Sequence, residues 1–269
     1  MSFSIAGKTA VVTGAANGVG LAIARHFVAR GANVIFADMD EEKLNKEIGE
    51  ISDDDEGTTG YFAGDLREKL TVANLLSATI DRFDRVDILV NASRQMLAAD
   101  PLRDEDDVVG KLITQNLITP LRLTQSFAKR MIKQAEGADD DAPVGSIINL
   151  SSIAAYRTHP ELLAYSVSSA AVDQMTRSMA VALAPHRIRV NAIALGSVMS
   201  ASLRGALGEN EDYRDSIVDS TPLARIASPT ELAEVAQFLA AEGSSFVTGQ
   251  ILTVDGGRSL VDAANVPAH

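Results

Sequence analysis

Ser152 and Tyr165, 13 residues apart, pair a hydroxyl with a phenol, a combination that can manage a proton at a carbonyl oxygen. A serine hydroxyl positions or polarises the oxygen, while a phenol gives or takes the proton as a hydride moves at the neighbouring carbon. Tyr165 opens a helical run that continues through Ala184, so the side chain one turn along the same face is that of Ser169. A phenol with an unperturbed pKa of about 10 is a poor base at neutral pH, and a nearby positive charge is needed to favour its anion. Ser169 carries none. A cation that lowered that value by about two units would be worth roughly 2.7 kcal/mol, about a hundredfold in anion at fixed pH. Arg94, Arg157 and His159 are the candidate substitutes, each with an ordinary surface role as its alternative. Tyr165 itself could be a core or interface aromatic, so its reading depends on what surrounds it in the chain.

What surrounds it is a nucleotide-binding pattern. After the first β-branched run comes Thr13-Gly14-Ala15-Ala16-Asn17-Gly18-Val19-Gly20, leading straight into a helix. Glycines there let the backbone turn tightly and approach a pyrophosphate, whose charge the helix N-terminus stabilises. The second run ends at Asp38, 18 residues after Gly20. A carboxylate at that point accepts hydrogen bonds from both adenosine ribose hydroxyls and repels a 2′-phosphate. Asn17 and Met39, where a phosphate-binding cation could sit, are uncharged. NAD is the expected cofactor, with NADP disfavoured.

The elements that must position these groups alternate. Segments 9–12, 33–36, 86–90, 146–150, 188–193 and 250–254 read as buried strands, and a further strand precedes Asp65. Helical periodicity fills the intervals, as in residues 21–30, closed by Gly31 as a C-cap. Strand and helix repeated in this way predict an α/β fold, a doubly wound parallel sheet of Rossmann type in a single domain. Residues 108–134 read as one long helix, bent at Pro120, and residues 136–143 as a flexible loop. A mobile lid over about 198–222 is expected to set specificity, Gly205 and Gly208 giving it backbone freedom. The tail from 259 to 269 reads as disordered or as an inter-subunit arm.

The 269 residues contain no cysteine, which excludes disulfides and thiolate metal sites and fits a cytoplasmic location. No spacing among the four histidines suggests a metal site. The net charge of −12 disfavours nucleic acid and anionic membrane as partners. Much of it sits in acidic clusters at 53–56, 104–107 and 139–141, which read as solvated loops. No run has the length of a membrane span, and no secretory leader opens the chain.

Over about residues 5 to 258 the chain resembles the short-chain dehydrogenase/reductase family. Thr13 to Gly20 match its glycine pattern, and Thr221-Pro222-Leu223-Ala224-Arg225, Pro229-Thr230-Glu231-Leu232-Ala233 and the segment from Thr248 to Gly257 look like further family segments. The resemblance implies that Asp65 and Leu66 hold the adenine, that Val198 and Ser200 hold the nicotinamide carboxamide, and that Asn116 anchors a proton-relay water. It makes Ser152 and Tyr165 the catalytic pair and puts Ser169 where the family has a lysine. That lysine faces the tyrosine and holds the nicotinamide ribose; the Ser169 hydroxyl could bond only the ribose.

Two further departures lie near the nicotinamide. The family's Asn-Asn-Ala-Gly appears as Asn91-Ala92-Ser93-Arg94 without a gap, or with Val90 and Ser93 as the replacements if one residue is deleted; Asn91 carries over either way. Leu195 stands for the proline before Gly196. The function implied is hydride transfer between NAD(H) and a small alcohol or carbonyl compound by a homodimer or homotetramer, with Tyr165 activated in an atypical way. The alternative is a nucleotide-binding pseudoenzyme serving regulation or assembly.

Overall fold

Seven parallel strands form one sheet in the order β3-β2-β1-β4-β5-β6-β7. They are β1 (Thr9–Thr13), β2 (Asn33–Asp38), β3 (Thr59–Ala63), β4 (Ile88–Asn91), β5 (Gly145–Ser152), β6 (Ile188–Leu195) and β7 (Ile251–Val254). The computed structural model describes residues 2–49, 58–103, 107–137, 142–210 and 212–262. The acidic clusters at 53–56 and 139–141, most of that at 104–107, the centre of the 136–143 loop and the tail beyond 262 lie outside the described residues.

Strand side chains alternate between the two faces, and each face has its own core. On one, Val12, Val34, Phe36, Val90 and Ile148 pack against α1 (Gly18–Ala29), through Ile23 and Phe27, and α9 (Pro229–Ala240), through Leu232 and Leu239. On the other, Val11, Ile35, Leu89, Ile147 and Val190 meet α3 (Lys69–Phe83), α5 (Thr119–Gln134) and α6 (Leu163–Leu183). Phe27 and Phe127, one on each side, are fully buried, each contributing about 1.5–3 kcal/mol. The remaining helices are α2 (Glu41–Gly49), α4 (Val108–Ile113), α7 (Ala201–Glu209) and α8 (Asp212–Asp219). This is the doubly wound Rossmann architecture, and its strand order reverses between β1 and β4, where a crevice opens at the strands' C-terminal ends.

The stretch from 108 to 134 is not one regular helix bent at its proline. Between α4 and α5, residues Thr114–Ile118 form a π turn in which the Thr119 N–H reaches back five residues to the Thr114 carbonyl. Pro120 explains it: in a straight α-helix the ring would press on the Asn116 carbonyl, and it has no N–H to offer. One wide turn relieves both, and Asn116 sits inside it. The 198–222 segment folds as α7 and α8 and is tied to the body by a bridge between Val198 and Ala227. The first residues of the tail dock on their own chain: Arg258–Leu260 make a 3-10 turn, and the Ser259 N–H donates to Asp255 Oδ2 at 2.7 Å.

Candidate active site

The crevice holds a cleft of about 1370 Å³ that runs from Asp38 and the 14–20 segment to Ser152 and Tyr165. At its origin the Thr13 hydroxyl accepts the N–H groups of Ala92 and Ser93, both at 3.1 Å, and donates to the Val90 carbonyl. This draws the end of β4 onto Gly14. A Cβ on Gly14, whose φ is +68°, would stand 2.8 Å from Ser93 Cα, and one on Gly20 would stand 2.2 Å from the Gly14 carbonyl oxygen. Only glycine fits at either place. Asn17 caps α1 in an extended conformation without a side-chain bond, so the first-turn N–H groups of α1 remain for a ligand. Gly14, Asn17, Gly18, Val19 and Gly20 all line the cleft.

Asp38 lies at the end of β2 with its carboxylate held by backbone: Oδ2 accepts from Ala16 at 3.1 Å, and Oδ1 from Met39 at 2.7 Å and Asp40 at 3.2 Å. Asp65 and Leu66 do not line the cleft. The Asp65 carboxylate is gripped by the Arg67 guanidinium, with contacts of 2.6 to 3.0 Å, and this pair holds its carboxyl below the usual range. Arg67 is the residue of that turn that faces the cleft. Val198 and Ser200 line its other wall, with Ser200 Cβ 3.6 Å from where a Gly18 Cβ would be.

Ser152, at the end of β5, and Tyr165, on the first turn of α6, line the same cleft and are nearly buried. The Ser152 hydroxyl accepts from the Ala154 N–H at 3.2 Å and donates to the Leu195 carbonyl at 3.4 Å. Tyr165 packs with Leu112, Ala154 and Ala164, and its phenolic oxygen accepts a hydrogen bond from Arg94 Nη1. The guanidinium also lies over the ring, 5.7 Å from its centroid.

Asn116 is the reason Arg94 arrives there. Its Oδ1 accepts the Gln95 N–H at 2.8 Å, while its Nδ2 donates to the Gln95 carbonyl at 2.9 Å and to Ser168 Oγ at 3.1 Å. The π turn thus clamps the residue after Arg94 onto α6. Both ends of the Asn116 amide are engaged, and the residue does not line the cleft; the side chain holds the Gln95 loop in place.

Two more residues of the sequence reading stand back from the cleft. Ser169 is buried one turn below Tyr165, its carbonyl accepting from the Ser151 hydroxyl at 3.4 Å. Asn91 is buried between β5 and α5, donating to Asn149 Oδ1 at 2.8 Å and Thr124 Oγ1 at 3.3 Å. Neither residue lines the cleft. Asp173, further along α6, is buried too; desolvation pushes its carboxyl up, while the Ser151 hydroxyl and Arg177 oppose the shift.

The sequence reading missed Arg258, Gln95, Gln115 and residues 260–262, all of which line the cleft. Gly256 and Gly257, with φ of +65° and +88°, turn the chain back toward it, and that Gly-Gly pair was the available signal for Arg258. Among the described residues no group of three His, Asp or Glu side chains could hold a metal ion, and no helix is long and apolar enough to cross a membrane.

Residues 14–259 match the family model described as enoyl-(acyl carrier protein) reductase. A 3-oxoacyl-[acyl-carrier-protein] reductase of Thermotoga maritima is 32% identical over 254 residues, spanning 93% of this chain and 97% of the relative. Among solved structures, a gluconate 5-dehydrogenase from Burkholderia cenocepacia in complex with NADP and tartrate superposes with a TM-score of 0.87 at 29% identity, over 97% of this chain and 98% of that one. A 7α-hydroxysteroid dehydrogenase complexed with NADH and 7-oxo glycochenodeoxycholic acid also gives 0.87 at 29% identity, over 95% and 96%.

Proposed function

Because the chain belongs to the short-chain dehydrogenase/reductase family of oxidoreductases, we propose that it transfers a hydride between NAD(H) and a small alcohol or carbonyl substrate, with Arg94 serving Tyr165 in place of the family's lysine. The hydrogen bond from Arg94 to the Tyr165 oxygen carries this reading.

The residues present fit a dinucleotide. Gly14, Gly18 and Gly20 with the α1 N-terminus suit a pyrophosphate, and Asp38 suits the adenosine ribose hydroxyls. The Asp38 carboxylate opposes a 2′-phosphate, and the nearby Arg67 is neutralised by Asp65, which together favour NAD over NADP. Val198 and Ser200, which line the cleft, are the residues we assign to the carboxamide. When bound, the nicotinamide supplies the carbon that accepts or gives the hydride.

The chain's own residues manage the oxygen and its proton. Ser152 orients the substrate oxygen by hydrogen bonding. Tyr165, as its anion, takes the hydroxyl proton during alcohol oxidation and returns it during carbonyl reduction. Arg94, donating to the phenolic oxygen, fixes the phenol beside the substrate oxygen and presents a positive charge there. Arginine stays protonated at any working pH, so Arg94 stabilises charge without itself exchanging a proton. Asn116 acts through Arg94, as a positioning residue.

The pseudoenzyme alternative gains no support from relatives named as reductases and dehydrogenases. Purified protein mixed with NAD and a panel of secondary alcohols is expected to produce reduced cofactor. Tyr165→Phe should lower turnover by about 10²–10⁴-fold while NAD binding, measured by calorimetry, persists. Cofactor binding with no turnover of any alcohol, unaltered by Tyr165→Phe, would contradict the proposal.

A further inference from the structure

We infer that the substrate carries a carboxylate, seated beyond Tyr165 on the guanidinium groups of Arg157 and Arg258; this rests on the hydride-transfer reading of the cleft. The chain is strongly acidic, at −12, yet its reaction half is lined by Arg94, Arg157, Arg258 and His159, with Asp262 as the one carboxylate there among the described residues. Elsewhere the abundant acids capture arginines: Arg25 pairs with Glu47, Arg67 with Asp65, Arg85 with Asp87 and Arg225 with Glu231.

Arg122, Arg130 and Arg189 instead donate to neutral oxygens at separate places; the cleft arginines are of this second kind but are gathered in one cavity. Among the described residues, Arg94, Arg157 and Arg258 form no ion pair with a carboxylate, and each donates to a neutral oxygen: Tyr165 Oη, the Ser259 carbonyl and Ser197 Oγ (2.9 Å for the last). Those bonds fix the side chains and leave most of the five N–H donors of each guanidinium unspent. Like charges gathered in a cleft repel one another and raise the local concentration of anions, so the arrangement favours a ligand of opposite sign.

Arg157 reaches the turn that carries Arg258, whose own guanidinium donates to Ser197 Oγ in the same cleft. Arg157 donates to Ser259, the residue after Arg258 in the 3-10 turn Arg258–Leu260. Arg157 belongs to the segment between Ser152 and Tyr165, on the reacting side, whereas the glycine segment and α1 take the pyrophosphate at the far side of the cleft. A planar guanidinium matches a carboxylate in a two-point contact. The substrate class that fits is therefore a secondary hydroxy acid or its oxo acid, oxidised or reduced at the carbon facing Tyr165 while the carboxylate stays unreacted.

A binding readout separates this inference from the catalytic one. Titration of the NADH-loaded protein with malonate, followed by the fluorescence of bound NADH, should show binding that dimethyl malonate does not match. Arg157→Gln and Arg258→Gln should each weaken malonate about 10- to 100-fold, and Arg157→Lys should recover part of the loss. In turnover, the kcat/KM ratio of a hydroxy acid to its methyl ester should exceed about tenfold and fall toward one in Arg157→Gln. Equal binding of malonate and its ester by the folded wild-type protein, or unchanged malonate binding in both glutamine variants, would overturn the inference. So would a stronger preference for a phosphate-bearing alcohol than for a hydroxy acid. If no alcohol is oxidised at all, the hydride-transfer reading fails, and the malonate titration still decides the anion site.

Discussion

Arg94 and Tyr165, 71 residues apart in sequence, meet as guanidinium and phenol in the wall of the cleft, joined by a hydrogen bond from Nη1 to the phenolic oxygen. The contact depends on a structural irregularity some twenty residues further on. Pro120 forces a π turn, the π turn presents Asn116, and Asn116 grips both backbone atoms of Gln95. An ordinary helix would direct Asn116 elsewhere and leave the Arg94 loop without its clamp.

The proposed preference for NAD rests on Asp38. Its carboxylate is fixed by three backbone N–H groups, so it cannot swing away from a 2′-phosphate. Asp38→Asn should shift the ratio of NADP to NAD affinity upward by about 30-fold, equivalent to about 2 kcal/mol, as measured by calorimetry with both cofactors. An unchanged ratio in a folded variant would place the discrimination at another residue.

The glycine turn makes a stability prediction that needs no ligand. Gly14→Ala puts a methyl into the Ser93 backbone in a left-handed conformation, and urea denaturation should show a loss of about 1–3 kcal/mol. Gly205→Ala is the control: nothing lies within 4 Å of its Cβ position and it sits in α7, so it should be neutral or stabilising by up to about 1 kcal/mol.

Much of the fold can be read directly from residue patterns, since buried parallel strands advertise themselves as β-branched runs. The edge strand β3 is harder: Gly60 interrupts it and Tyr61 faces solvent, so its limits are not marked by an apolar run. The glycine segment and Asp38 are legible because their chemistry is local, a turn and a strand end. Arg94 could be nominated as a cation but not located, because its position depends on a π turn distant in sequence. Arg258 was hidden in the same way, as its approach to the cleft comes from two glycines that reverse the chain after β7. Asn91 shows the converse: a family position can be matched in sequence while its side chain is turned into a buried polar network with Asn149 and Thr124.

The N-terminus of α9 carries the pH dependence. Arg225 and the Ser228 N–H hold the Glu231 carboxyl down at about 2, within a capping box. A folded-state value below the unfolded one means the carboxylate contributes stability above pH of about 4.5 and loses it as pH falls toward about 2. Glu231→Gln should therefore lower the melting temperature equally at pH 7 and pH 5. The deficit should shrink below pH of about 4.5 and vanish near 2. A deficit constant down to pH 2 would show that the charge contributes nothing there.

The central claim, that Arg94 serves Tyr165 through their hydrogen bond, is tested most directly by the kcat of alcohol oxidation in Arg94→Gln, alone and combined with Ser169→Lys. The single variant should lose about a hundredfold in kcat, equivalent to about 2.7 kcal/mol, while NAD binding measured by calorimetry persists. The added lysine, one helical turn from Tyr165, should restore a large part of the activity at pH 7. A folded Arg94→Gln that turns over like the wild type, or a loss that Ser169→Lys does not relieve, would contradict it.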